Sequence, residues 1–191
     1  MTIAFVLGNG KSRLEIDSLY KLKPIGIIYG CNALYRNFAP DMLVSTDPDI
    51  TSEIEKSHYG RSYTHYCPNS TSHPIPTKYK TWCTGAVATA IACIDDHEFI
   101  CLIGMDFGNA ENNLPNNVYD GTPCYPNANN EPVYAGNFIQ QFLTLFREFP
   151  SKHFIRIVGQ QTKKITEFKT IANLENMPMA EFLNLINEKL I

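Results

Sequence analysis

The sequence predicts an α/β fold in which a mostly parallel sheet carries helices on both faces. Three observations predict it. Continuous apolar runs of strand length recur along the chain, segments with helical spacing alternate with them, and Gly, Asn and Asp gather directly after the apolar runs. A strand buried on both faces reads as an unbroken apolar run, and helices packed between such strands give the alternation. At 191 residues the chain suits one domain with a full hydrophobic core.

The first run, TIAFVLG, is a strand that enters the loop Gly8-Asn9-Gly10-Lys11-Ser12. Ser12 stands where its hydroxyl can cap a short helix over 12–16. IGIIYG at 25–30 is a second buried strand, and 32–38 a short helix stopped by Pro40. A third strand runs over 42–46 to Asp47, and Pro48 suits the first turn of a helix reaching Ser57. Residues 62–66 read as a fourth strand. The small-residue segment GAVATAIACI makes 84–94 a helix, followed by a buried strand at 99–103. Phe138, Phe142, Leu145 and Phe146 mark a helix over 135–149, and the strand 154–158 closes the set. Phe182, Leu183, Leu185, Ile186 and Leu190 form an apolar stripe on a C-terminal amphipathic helix over 179–190.

Together these elements predict a single Rossmann-like domain over 1–191, with a lid-like loop at 108–132. That loop is rich in Asn, Pro and Gly, with Tyr119, Asp120 and Tyr125 among them. A loop this long is a binding lid or a disordered insertion, and the tyrosines favour the ordered role.

Composition excludes several function classes. A formal net charge of −3 gives no global electrostatic case for nucleic acid or an anionic membrane. No apolar run approaches the roughly 20 residues of a transmembrane helix. The N-terminus lacks the basic flank and long apolar core of a signal peptide, so a cytoplasmic location is expected. The six cysteines include no CxxC pair and the five histidines are scattered, so buried reduced thiols are expected rather than a zinc site. Lys152, His153 and Arg156, with Lys163 and Lys164, read as an ordinary solvated face rather than a DNA track.

In parallel sheets ligands bind beyond the carboxyl ends of the strands. Gly8-Asn9-Gly10, Cys31-Asn32, Asp47-Pro48-Asp49 and Gly104-Met105-Asp106-Phe107-Gly108 all lie at such ends. Gly8 and Gly10 permit close backbone approach to a phosphate, or simply a structural turn. Lys11 adds charge there or is solvated. Asn32 offers an amide to a base or ribose edge, or caps a helix. Asp47 and Asp49 form a DxD, which is a turn and helix start or a divalent-metal site. Thr84-Gly85 opens a helix whose small residues let it lie close on the sheet, with its N-terminus free for an anion. Asp106 anchors its loop or touches the ligand.

In order, these segments resemble the small bacterial sialyltransferases of the Campylobacter type. That family has a strand followed by GNGPS and an acidic Ile-Asp, matched here by VLGNGKS and Glu15-Ile16-Asp17. Its Cys-Asn is matched by Cys31-Asn32, and its later helix, strand and Gly-Ile-Asp-Phe by TGAVATAIACIDDHEFICLIGMDFG. The resemblance covers residues 3–158. It implies that Asn9, Gly10, Ser12, Asn32, Thr84, Gly85 and Asp106 surround a cytidine nucleotide, in the loop that Gly8 opens. It also implies that Tyr119, Tyr125 and Tyr134 meet the leaving phosphate.

One departure matters. The family's general-base histidine has no counterpart, because VYAGNF stands in its place and no histidine lies between His97 and His153. Asp106, Asp120, Glu131 or Asp47 must then accept the acceptor's proton. NFAPDMLVSTDPDI is also similar to a stretch of the MptE-like proteins, which include a pterin pyrophosphokinase and flagellin-glycosylation factors.

The resemblance therefore implies a nucleotide-sugar-dependent glycosyltransferase that is sialyltransferase-like without specificity for sialic acid. Its donor would be a CMP- or UDP-sugar, and a divalent metal is compatible but not required. The acceptor would be a hydroxyl of a glycan, a small molecule or modified DNA. The alternatives are an MptE-like metal-dependent pyrophosphokinase or phosphotransferase, and a non-catalytic nucleotide-sequestering protein. The C-terminal helix covers the core or pairs with a second subunit in a homo-oligomer.

Overall fold

The sheet grows outward from β1 (Ile3–Leu7), whose residues alternate between two cores: Ala4 and Val6 face one, Phe5 and Leu7 the other. The structure is a computed structural model that describes residues 2–109, 114–131 and 135–188. The other strands are β2 (Ile27–Cys31), β3 (Met42–Val44), β4 (His65–Tyr66), β5 (Phe99–Ile103), β6 (His153–Val158) and β7 (Leu174–Pro178). They pair in the order β4-β3-β2-β1-β5-β6-β7, and every pairing is parallel. The register sets Leu7 between Gly30 and Ile103, so the loops after β1, β2 and β5 leave the sheet side by side.

The helices are α1 (Pro48–Lys56), α2 (Tyr59–Ser62), α3 (Thr84–Ile94), α4 (Gly136–Glu148) and α5 (Met179–Glu188). On one face α3 packs on β1, β2 and β5, and α4 packs on α3. The alanines of α3 make this close approach possible, and nine of its eleven residues are buried. On the other face Ile50 and Ile54 of α1 and Phe182 and Ile186 of α5 cover Phe5, Leu7, Ile28 and Ile103. This is an α/β Rossmann-like domain, and among its described residues no helix is long and apolar enough to cross a membrane.

Chain order runs outward from β1 to β4 and then returns to β5 on the other side of β1. The strand order therefore reverses between β1 and β5, which is where open α/β sheets form their crevice.

Several local expectations are corrected. The set of strands closes with β7, not at Val158. Strand pairing near 62–66 is confined to His65 and Tyr66, because Tyr59–Ser62 is a helical turn. Ser12 does not cap: Gly10 holds the N-cap position of a 3-10 turn over Lys11–Glu15, and Ser12 lies inside it. Lys152 and Arg156 are not a solvated face. Both are buried, Lys152 paired with Asp96 and Arg156 donating to the carbonyls of Met105 and Lys163. The cysteines are all unbridged, but Cys124 is exposed and Cys83 only partly buried. Leu190, at the end of the expected C-terminal helix, lies outside the described residues.

Candidate functional site

The loops that leave β1 and β5 are locked together. Gly8 N donates to Ile103 O at 2.8 Å, and Gly10 N to Gly104 O at 2.9 Å. Asp106 lies beneath them and is only 3% exposed. Its Oδ2 accepts the Ser12 amide at 3.0 Å and Asn116 Nδ2 at 2.8 Å, while Oδ1 accepts the hydroxyls of Ser12 and Thr162 at 2.5 and 3.1 Å. A Cβ at Gly10 would stand 2.4 Å from Asp106 Oδ2, so glycine there is a condition of close approach. Arg13 is buried under the same loop and donates to Gly8 O, Asn9 Oδ1 and Tyr119 OH.

Above this lock the loops bring together a row of polar groups, of which Asn32 and Thr84 are buried and Asp47 is exposed. Asn9 Nδ2 donates to Cys31 O at 3.2 Å and to Tyr125 OH at 3.3 Å. Asn32 has φ +49°, a left-handed conformation uncommon outside glycine, which asparagine tolerates better than most residues. Its Nδ2 donates to Asp47 Oδ2 at 2.9 Å, and its Oδ1 accepts the Thr84 hydroxyl at 3.2 Å. Thr84 also bonds Thr46 at 2.6 Å. Asp47 is exposed at the start of α1, and no bond joins its carboxylate to the helix amides. The ends of β1, β2 and β3 and the start of α3 thus share one hydrogen-bonded chain.

The long loop covers this row. Over 114–131 it is a succession of turns docked on the body. Val118 N donates to Asn9 O at 2.8 Å, and Lys11 pairs with Asp120 at 2.8 Å. Tyr119 is buried in the core, while Tyr125 reaches the rim, where its oxygen accepts from Asn9 and from Ala33 N at 3.3 Å. Arg36 grips Glu53 through two bonds of 2.8 and 2.7 Å and donates to Thr122 Oγ1 and Pro123 O. Its guanidinium also lies over both tyrosine rings, 5.8 and 5.9 Å from their centroids.

Ionisation follows burial. Burial pushes the Tyr125 phenol well above its usual range, with the charge of Asp47 adding to the effect, so its hydrogen stays available to donate. Burial also pushes the thiols of Cys31 to about 12 and Cys83 to about 11, so neither is a thiolate nucleophile near neutral pH. Among the described residues no three His, Cys, Asp or Glu side chains are grouped to hold a metal ion.

No protein-family model, curated protein or solved structure matches the chain. The site therefore stands on its own geometry.

Asn9, Asn32, Asp47, Thr84 and Tyr125 come together at the rim. Gly8, Gly10, Ser12 and Asp106 form the lock below it. Gly85 faces inward, where a Cβ would stand 2.9 Å from Met105 Sδ. Asp120 is tied to Lys11, Glu131 is exposed, and Tyr134 lies outside the described residues. Arg13, Arg36, Asn116 and Thr162 escaped the sequence reading. Arg13 alone had a local signal, its place one residue after the glycine loop; the partners of the others come from distant segments.

Proposed function

We propose that the rim over β1, β2 and β3 is the site of a nucleotide-sugar-dependent glycosyltransferase. One observation carries the reading: Asn9, Asn32, Thr84 and Asp47 meet at the carboxyl ends of three strands, beside the start of α3. Amides and hydroxyls that both donate and accept suit a ribose and base, and strand ends are where such ligands lie. The Asn9 amide and Ala33 N–H supply donors for phosphate oxygens.

In the proposed step an acceptor hydroxyl oxygen forms a bond to the anomeric carbon. The bond from that carbon to the phosphate oxygen breaks, and the nucleotide leaves with the electron pair. Asp47 takes the hydroxyl proton. Asp106 does not suit that role, because four donors already fill its oxygens, and Asp120 is held by Lys11. Asp47 alone of the three is exposed at the rim.

Calorimetry with CMP-, UDP- and GDP-sugars, with and without Mn²⁺, tests the site. Binding that weakens in Asn9→Ala, with nucleotide release lost in Asp47→Asn, supports transfer. Absence of binding to every nucleotide sinks the reading. Tight binding without turnover favours sequestration, and metal-dependent binding lost in Asp47→Ala favours a phosphotransferase.

A further inference from the structure

Asn9 and Ala33 belong to different loops, yet their donors converge on one oxygen, the phenol of Tyr125. Each bond is 3.3 Å, just beyond the usual N–H···O range, so the oxygen is held weakly. The rest of the loop is fastened elsewhere. Tyr119 is 4% exposed in the core, and Val118 is bonded to Asn9 O. Between these anchors and Tyr125 the chain turns through Gly121 at φ +70° and Cys124 at φ +69°. Tyr125 N is bonded locally, to Thr122 O, and the tip's outward ties run chiefly to Arg36, which donates to Thr122 Oγ1 and Pro123 O and lies over the Tyr125 ring, so this tip is a small unit held mainly by one side chain on a fixed base.

Resting on the nucleotide-site reading above, we propose that Tyr125 is an internal occupant of that site. Its phenol oxygen stands where a phosphate or ribose oxygen binds, and the nucleotide enters by displacing it. The Asn9 amide and Ala33 N–H exchange one oxygen partner for another, so neither donor is left buried without an acceptor. Burial keeps the phenol protonated, so the occupant is neutral and an anionic oxygen outcompetes it for the same donors. Apparent affinity is then reduced by the fraction of molecules in which Tyr125 still occupies the site.

The test titrates CMP, UDP and GDP into the wild type, Tyr125→Phe and Tyr125→Ala by calorimetry. Hydrogen exchange of the amides over 117–126 is followed in the same samples. Tyr125→Phe deletes the oxygen and keeps the ring, and is expected to bind nucleotide about tenfold more tightly, the worth of one to two ordinary hydrogen bonds. Nucleotide is expected to speed exchange over 121–126 in the wild type. Weaker or unchanged affinity in both variants, or slower exchange on binding, overturns the proposal, because Tyr125 would then clamp the ligand or ignore it. Failure of all three proteins to bind any nucleotide removes the site itself, which is a different result from binding without displacement.

Discussion

Ser12 and Asp106 are joined twice: the Ser12 amide donates to Oδ2 at 3.0 Å and its hydroxyl to Oδ1 at 2.5 Å. The pair links the loop after β1 to the loop after β5 across the point where the strand order reverses. A crevice expected there is filled by the protein's own hydrogen bonds, and the exposed carboxylate at the strand ends is Asp47, after β3.

Asp106→Ala is therefore a stability variant. It strands the Ser12 amide, Asn116 and Thr162 around a buried space. Bonds to a charged group are worth about 1.5–3 kcal/mol each, so a loss of at least about 3 kcal/mol is expected. Gly10→Ala should act in the same direction, since its Cβ collides with the same carboxylate. Urea unfolding checks both through the transition midpoint.

Asp47→Asn should behave in the opposite way. Asp47 is exposed and its carboxylate accepts a bond from Asn32 Nδ2, so stability should move by no more than about 1 kcal/mol. Nucleotide release from a bound sugar donor should fall by about 100-fold or more if this carboxylate takes the proton. Wild-type turnover in Asp47→Asn would return the base role to another group.

The sequence made most of the sheet legible because its inner strands are apolar on both faces. β4 was legible only as a longer strand over 62–66, and β7 was not legible. They are edge strands, β4 pairs through only two residues, and β7 reads LENMP with Glu175, Asn176 and Pro178 exposed. The rim residues were legible as polar groups after apolar runs, but their division of labour was not. Nothing local distinguishes Asp106, buried under four donors, from Asp47, left open. That difference depends on Asn116 and Thr162, which lie ten and 56 residues from Asp106.

Two buried histidines set the acid side of the stability curve. Burial lowers the pKa of both His65 and His97 from the ordinary 6.5. Tyr29 donates to Asp95, so its oxygen accepts from His97 Nε2, leaving His97 Nδ1 bare, buried and unpartnered. The unfolded chain therefore binds protons more readily than the folded one. Stability is fully present above pH 6.5 and declines as pH falls from there through the lowered folded values. Glu53 and Glu148, lowered by their partners despite burial, add a separate loss below the ordinary glutamate value of 4.5. Urea midpoints between pH 8 and 5 should fall in the wild type, and less steeply in His97→Gln. An identical slope in that variant would count against the histidine assignment.

Arg36, rather than Lys11, should fasten the lid. The Lys11–Asp120 pair is a single contact in which Lys11 is about a third exposed while both Asp120 oxygens are buried. Arg36 holds Glu53 in a two-bond fork, donates to Thr122 and Pro123, and faces the rings of Tyr119 and Tyr125. A lysine cannot reproduce a planar fork with contacts on several sides. Limited proteolysis should accordingly show faster cleavage within 120–126 in Arg36→Lys than in Lys11→Ala, which leaves one buried carboxylate without its partner, and raising the salt should change little. Faster cleavage in Lys11→Ala than in Arg36→Lys would assign the fastening to the ion pair instead. Because Arg36 leans on Glu53 of α1, the same substitution should also loosen the neighbouring Tyr35–Glu53 contact and reduce overall stability by about 1–3 kcal/mol in urea.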